Sequence, residues 1–302
     1  MKKFSLEETL VYKKELILKS TTEDALEENE FLLSRTLFDK EGRVISEIQY
    51  DSDGHISQEH LYTYDENGFL LEEMLREEDG FVAEHKTFEP DEKGRIAKEM
   101  RHYMDGSFDT ITCSYNEEGL LSKKVSVDPD GDTESTEEYT YTGGRLTHYI
   151  LKDGDDEVLT EKSMVYDDDG NVVELTEYDA SEDTTLRREM EYYPSGNRKL
   201  ALTYNSKGQL VEKISLRENE KGQPVQMTEE THHKKNTVNM SYDAAGNVIL
   251  QEEFDKNGEL ISKVERTFDE QQRLVSSEVF IHGAGRGPSR NYTLRQEYKL
   301  RQ

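Results

Sequence analysis

Apolar and polar side chains alternate along most of this chain. Val44-Ile45-Ser46-Glu47-Ile48-Gln49-Tyr50 shows the pattern, as does Glu99-Met100-Arg101-His102-Tyr103-Met104. A period of two places successive side chains on opposite faces of a strand. Val, Ile, Thr and Tyr recur in these runs, which suits a pleated, half-solvated surface. No window of helical length carries a continuous apolar stripe, so helices are not expected.

The runs are punctuated by a repeated unit, typified by Tyr64 to Leu71, YDENGFLL. An aromatic residue precedes Asp65, two polar residues follow, and then come Gly68 and an aliphatic run. Asp65 can accept a hydrogen bond from the backbone two residues on. Glu66 and Asn67 suit the centre of a type I turn, and Gly68 can take the left-handed conformation of a three-residue hairpin loop with a G1 bulge. That loop puts Tyr64 opposite Leu70. The same pairing is expected for Phe38/Val44, Tyr50/Ile56, Tyr115/Leu121, Tyr166/Val172, Tyr204/Leu210, Tyr242/Val248 and Phe254/Leu260. Phe268/Leu274 keeps the pair although Gln272 replaces the glycine.

The main glycines fall at 42, 68, 94, 119, 144, 170, 196, 222 and 246, in steps of 24 to 26. A constant period in this range marks a repeat protein. A second set lies between them: Gly54, Gly80, Gly106, Gly131, Gly154, Gly208 and Gly258. Asp51-Ser52-Asp53-Gly54 and Asp128-Pro129-Asp130-Gly131 have type I turn chemistry. Asp105-Gly106 reads as a two-residue type I′ turn. The expected fold is all-β: an antiparallel up-and-down meander of roughly twenty strands, two per repeat. Laid flat, it would span roughly 95 Å. Such sheets curl, split or close, and an elongated curved or spiral sheet is the expectation, with a wide barrel left open.

One domain is expected over 1–302, because the repeat runs almost end to end without a linker. Residues 1–34 fit the repeat poorly and read as an atypical N-terminal cap, with Leu16-Ile17-Leu18 a strand and Thr21 to Glu30 a turn or short helix. The repeats occupy 35–280. Residues 281–302 read as a Gly/Arg loop followed by a closing strand, Asn291 to Leu300. The turn near 234, His232-His233-Lys234-Lys235-Asn236-Thr237, is basic in an acidic chain.

Composition sharpens this picture. Hydrophobic residues make up 33% and charged residues 34% of 302 residues, so much of the sheet must be wet, with one face or a narrow trough apolar. Regular turns and aromatics argue against disorder. The net charge of −28 opposes nucleic-acid phosphates and anionic membranes and is compatible with a basic protein partner. It also discourages edge-to-edge pairing of strands. No apolar run is long enough to span a bilayer as a helix. Ser5-Leu6-Glu7-Glu8 interrupts any signal-peptide core after Met1-Lys2-Lys3-Phe4. Cys113, the one cysteine, reads as a strand residue, and these features favour the cytoplasm.

No catalytic, cofactor or metal residues emerge. Gly283-Ala284-Gly285-Arg286-Gly287 lacks the strand–loop–helix context and the Lys-Ser/Thr of a phosphate cradle. His232 and His233 would point to opposite faces of a strand. Asp128-Pro129-Asp130-Gly131-Asp132 and Asp167-Asp168-Asp169-Gly170 invite a calcium reading. An EF-hand loop needs Gly at its sixth position and Glu at its twelfth, and counting from Asp128 these are Thr133 and Tyr139. Both stretches read as Asx turns. Asp and Glu total 66, so carboxylate pairs carry no signal.

The units YDENGFL, YDDDGNV, YDAAGNV and FDKNGEL over residues 38–275 resemble the YD repeats of the bacterial Rhs family. Tyr192-Tyr193-Pro194-Ser195-Gly196-Asn197 resembles the repeats of MORN-variant, antitoxin-like bacterial proteins. The first resemblance implies a β-hairpin array of the kind used as a toxin shell, and the second implies toxin neutralisation. This chain has no recognisable toxin segment. The expectation is a non-catalytic scaffold that binds another protein through its sheet face or edge. An immunity or antitoxin-type protein that neutralises a basic toxin is the first alternative. A carbohydrate-binding or carbohydrate-active protein is the second.

Overall fold

The computed structural model describes residues 6–18, 26–283 and 289–301. They form an antiparallel up-and-down meander of 22 strands, with one 3-10 turn at Glu78–Gly80. In chain order the strands are β1 (Leu6–Leu18), β2 (Leu26–Phe38), β3 (Val44–Tyr50), β4 (Ile56–Tyr64), β5 (Leu70–Glu77), β6 (Val82–Pro90), β7 (Ile96–His102), β8 (Phe108–Tyr115), β9 (Leu121–Val127), β10 (Thr133–Thr142) and β11 (Arg145–Asp153). They continue with β12 (Val158–Tyr166), β13 (Val172–Asp179), β14 (Thr184–Tyr192), β15 (Arg198–Tyr204), β16 (Leu210–Glu218), β17 (Pro224–Thr231), β18 (Lys235–Tyr242), β19 (Val248–Phe254), β20 (Leu260–Phe268), β21 (Leu274–Ile281) and β22 (Arg290–Leu300). The chain divides into two compact units. The first is Met1–Thr63 with Glu72–Glu84 and Asn236–Gln302, and the second is Tyr64–Leu71 with His85–Lys235.

The turns follow the repeated motif. At Asp65 the carboxylate Oδ1 accepts the N–H groups of Asn67 and Phe69, both at 2.8 Å. The Gly68 N–H donates to the Asp65 carbonyl at 3.1 Å, and Gly68 has φ 88°. This is the three-residue loop with a left-handed glycine. The expected registers Phe38/Val44, Tyr50/Ile56, Tyr115/Leu121, Tyr166/Val172, Tyr204/Leu210, Tyr242/Val248, Phe254/Leu260 and Phe268/Leu274 are all present. An aromatic facing an aliphatic contributes about 0.2–1 kcal/mol over an alanine pair.

Several turns differ from expectation. Asp105-Gly106 is not a type I′ turn, since only Gly106 has positive φ. Tyr103 N–H bonds the Ser107 carbonyl, so the loop is again the three-residue form. Gly143 and Gly144 both have positive φ, 57° and 76°, between the facing pair Thr142 and Arg145; here the two-residue loop occurs. In the loop after β11, Asp156 rather than Gly154 is left-handed, at φ 67°. Gly154 answers a different need: a Cβ there would lie 2.2 Å from the Thr133 carbonyl oxygen. His232 and His233 form a tight loop closed by Thr231 N–H to the Lys234 carbonyl at 2.8 Å.

A second irregularity follows the turn in hairpin after hairpin. Leu37 faces Ser46 while Phe38 faces Val44, which leaves Ile45 unpaired. The same extra residue is Ser57 in β4, Ala97 in β7, Ser122 in β9, Val173 in β13 and Lys199 in β15. Each is a β-bulge, which bends its strand and increases local twist.

In the first unit, β22 pairs with β1. Tyr12 faces Arg295 and Lys14 faces Thr293. Ion pairs tie the seam: Glu8 to Arg35 at 2.8 Å and to Lys299 at 3.3 Å, and Arg295 to Glu30 at 2.9 Å. The expectation of an elongated curved or spiral sheet with free terminal edges is corrected, because the first and last strands are neighbours. Unpaired edge N–H and C=O groups favour such a pairing. The expected closing strand from Asn291 to Leu300 is present as β22. The N-terminal stretch, expected to be a cap, supplies two 13-residue strands. Strand β2 includes Leu26 to Glu30; residues 21–25 lie outside the described residues.

The expected apolar face is also corrected. The buried positions mix Leu10, Ile48, Phe88, Ile111 and Ala201 with Glu8, Ser46, Asp109, Ser126, Thr203 and Ser277. Among the described residues no large side chain is fully buried. A sheet with this little apolar cover relies on its backbone ladder and on side chains that bridge strands.

Candidate functional site

The residues singled out in the sequence lie in separate places. Asp128 Oδ1 accepts the N–H groups of Asp130 at 3.0 Å and Asp132 at 2.8 Å. Asp167 accepts from the backbone and side chain of Asn171, and these hydrogen bonds hold its carboxyl below the ordinary aspartate value. Both stretches are Asx turns. The His232 and His233 rings meet edge to face at 4.7 Å in an exposed loop. Residues 284–287 of the glycine-rich run lie outside the described residues. Cys113 sits on β8 facing Lys124, and burial pushes its thiol upward, away from the thiolate a nucleophile needs.

One turn gathers three potential metal ligands, Asp51, Asp53 and His55, with ligand atoms within 4.8 Å of one another. Asp51 Oδ1 already accepts the N–H groups of Asp53 and His55, both at 2.9 Å. That arrangement is the turn itself, and it recurs at Asp65 and Asp128 where no histidine is present.

A polar network lies in the second unit. Lys124 faces Glu137, and Ser126 faces Ser135. With Glu99, Arg101 and Ile111 they line a small cavity of about 90 Å³. Glu137 accepts from the Tyr139 hydroxyl and from the Tyr149 hydroxyl at 3.2 Å. Burial, then these bonds and the negative charge of Glu137, push both phenols upward. They remain donors, and the network is satisfied. It braces facing strands and presents no activated nucleophile or base.

The more open feature is in the first unit. A groove of about 480 Å³ is lined by residues of β1, β2, β20, β21 and β22, including Lys14, Glu28, Lys263, Glu265, Glu278 and Phe280. The β1–β22 pairing brings residues from the two ends of the sequence together here. Lys14 bonds Glu28 at 2.7 Å, and Lys263 bonds Glu265 at 2.9 Å. Lys263 is held above the ordinary lysine value by that bond, with Glu252 and Glu278 adding their charge. The groove combines the Phe280 ring with excess carboxylates, which suits binding of a cationic group beside apolar surface. Sequence reasoning assigned none of its residues to a site. The one local signal is the period-two alternation Lys263/Glu265 and Glu278/Phe280, which places each pair on one face.

Across β9 to β14 both faces carry charged residues. The registers place Glu138, Glu161, Glu174 and Glu189 on one face, and Lys124, Glu137, Lys162 and Glu177 on the other. No helix among the described residues is long and apolar enough to cross a membrane.

No known protein family matches this chain, and no curated protein sequence matches it. Solved structures with a related arrangement of strands include the crystal structure of TcdB2-TccC3-Cdc42. That likeness has 9% identity and a TM-score of 0.33, over 84% of this chain and 18% of that one. A porin-like protein from Bacteroides uniformis ATCC 8492 aligns with 11% identity and a TM-score of 0.31, over 98% of this chain and 96% of that one. A porin-like protein from Bacteroides vulgatus ATCC 8482 aligns with 8% identity and a TM-score of 0.25. The chain thus spans under a fifth of the matched chain in the TcdB2-TccC3-Cdc42 structure.

Proposed function

We propose that this protein is a non-catalytic β-repeat scaffold, similar to the YD-repeat arrays of Rhs proteins, that binds another protein through a face of its sheet. The observation that carries the reading is the groove on β1, β2 and β20–β22, where the Phe280 side chain lies among charged ones. Interfaces commonly set a few aromatic anchors within a polar rim. Because β1 and β22 pair with each other, docking at these terminal strands is the weaker route and docking on the face the stronger. The excess of carboxylates and the net charge of −28 favour a basic partner, and repel nucleic acids and anionic membranes. The immunity or antitoxin reading is the narrower form, in which that partner is a basic toxin. A cytoplasmic location suits both, since Cys113 would stay reduced there.

The test is affinity capture from the native host at low and high salt, read by mass spectrometry, with Phe280→Ala as a paired bait. Thermal unfolding first establishes that the variant is folded. The expected result is a basic protein retained by the wild type, weakened by salt and lost with Phe280→Ala. Equal capture by both baits, or capture by neither, overturns the reading.

A further inference from the structure

In some cross-strand pairs of this sheet carboxylates stand directly opposite each other. Glu174 faces Glu189 across β13 and β14, and Glu265 faces Glu278 across β20 and β21. Such pairs are destabilising. At the first, the chain supplies its own remedy. Arg187 stands two residues before Glu189, on the same face, and its Nη1 donates to Glu174 Oε2 at 3.2 Å and also to Glu189. One guanidinium bridges both carboxylates.

At the second pair Lys263 holds the equivalent place, two residues before Glu265. Its ammonium bonds Glu265 at 2.9 Å. Glu278 is exposed and makes no hydrogen bond or ion pair among the described residues. A lysine offers a compact point charge, whereas arginine offers a planar fork that can serve two acceptors. Glu278 opens onto the groove described above, with Phe280 beyond it on the same face and opposite Lys263.

We infer that this groove binds an arginine side chain of a basic partner segment, with the guanidinium held by Glu278 beside Glu265 and its stem against Phe280. The ligand would supply the bridge that Arg187 supplies at Glu174 and Glu189. The inference rests on the reading of the sheet face as a protein-binding surface, and it names the group that the face recognises. Packing of an arginine stem on apolar surface and charge-assisted bonding of its head to carboxylate are both favourable. Rim carboxylates raise the local concentration of a basic segment.

The test uses the full chain and three tripeptides, Gly-Arg-Gly, Gly-Lys-Gly and Gly-citrulline-Gly, titrated at low salt by NMR. The protein variants are Glu278→Gln and Lys263→Arg. The arginine peptide is expected to bind about tenfold or more tighter than the citrulline peptide, and tighter than the lysine peptide. Glu278→Gln removes the acceptor. Lys263→Arg leaves the net charge unchanged but places a guanidinium where it can bridge Glu265 and Glu278 from within. Both variants are expected to lose the arginine preference. Both should also keep or raise Tm, on the order of 1 °C, because each relieves the facing charges. Unchanged binding in Lys263→Arg and Glu278→Gln, or equal affinity for arginine and citrulline, overturns the inference. If a partner is captured as strongly by both variants as by wild type, the arginine assignment fails while the scaffold reading stands. If Gly-Arg-Gly binds at Glu278 but the native host yields no partner, the arginine site stands and the scaffold reading fails.

Discussion

The hydroxyl of Tyr166 donates to the main-chain carbonyl of Leu146 at 2.7 Å. Leu146 is the residue that faces Tyr141, the turn aromatic of the preceding main hairpin. Tyr141 in turn donates to Leu121, Tyr115 to Ile96, and Tyr192 to Val172, each at 2.8 Å. Each acceptor lies next to a bulge, where the backbone ladder is interrupted. The repeated tyrosine therefore does two jobs. Its ring covers the facing aliphatic side chain, and its hydroxyl satisfies a carbonyl one hairpin back. A core without tryptophan and without a fully buried large side chain among the described residues gains cohesion from such links rather than from depth of burial.

Replacing Tyr166 by Phe tests the second job alone. The ring, its Val172 partner and the Arg145 guanidinium 5.7 Å from its centre all remain. Loss of the hydroxyl leaves the Leu146 carbonyl without this donor. The expected cost is about 0.5–1.5 kcal/mol in urea unfolding. No change in midpoint would show that the hydroxyl bond contributes nothing net.

The aromatic, the Asp and the Gly of each unit reported the hairpins well, because turn geometry is local. Phe38 finds Val44, and Phe268 finds Leu274 without a glycine, because the loop conformation alone sets the register. The bulges were not legible. Ile45, Ser57, Ala97, Ser122, Val173 and Lys199 have no one residue type in common, so the extra residue is a backbone event that side chains do not announce. The Asp105-Gly106 loop misled for a related reason. The dipeptide signals a two-residue turn, yet His102 facing Phe108 makes room for three residues. The groove could not be read either, since Lys14 and Glu278 meet only through the β1–β22 pairing.

Gln272 occupies the left-handed position of its turn at φ 63°, where most main turns have glycine. A side chain there costs roughly 1–2 kcal/mol. Its amide oxygen accepts from Asn247 Nδ2, but that bond is exposed and worth less than the strain. Gln272→Gly is expected to raise stability by about 1 kcal/mol, seen as a higher denaturation midpoint. A lower midpoint would mean that the Asn247 bond outweighs the backbone strain.

Gly154 tests a steric claim. Its φ is not in the left-handed region, yet a Cβ would lie 2.2 Å from the Thr133 carbonyl oxygen. Backbone must move to admit it. Gly154→Ala is expected to destabilise by about 1–3 kcal/mol. At Gly42, where φ is 85° and nothing lies within 4 Å of a Cβ, alanine meets conformational strain and no clash. The two substitutions separate the costs when their unfolding curves are compared.

Asp91 gives the pH dependence a sign. Its Oδ1 accepts the N–H groups of Lys93 and Arg95 at 2.8 and 2.9 Å, and Arg95 Nε donates to Oδ2 at 2.8 Å. The Arg95 side chain foremost, then its backbone N–H, holds the carboxyl below 3.8 in the folded protein. A carboxyl whose folded pKa is depressed stabilises the fold above the unfolded pKa and loses that contribution as pH falls through the folded one. Asp39 and Asp269, each paired with the Arg four residues on, are lowered in the same direction. Stability should therefore fall with pH below about 3.8. Asp91→Asn keeps an oxygen for the two backbone donors and removes only the charge. It is expected to be less stable than wild type at neutral pH, with the gap narrowing as the solution is taken down through the aspartate range. Urea midpoints of the two proteins across that range measure the gap, and parallel curves would show that the Arg95 pair contributes nothing to acid sensitivity.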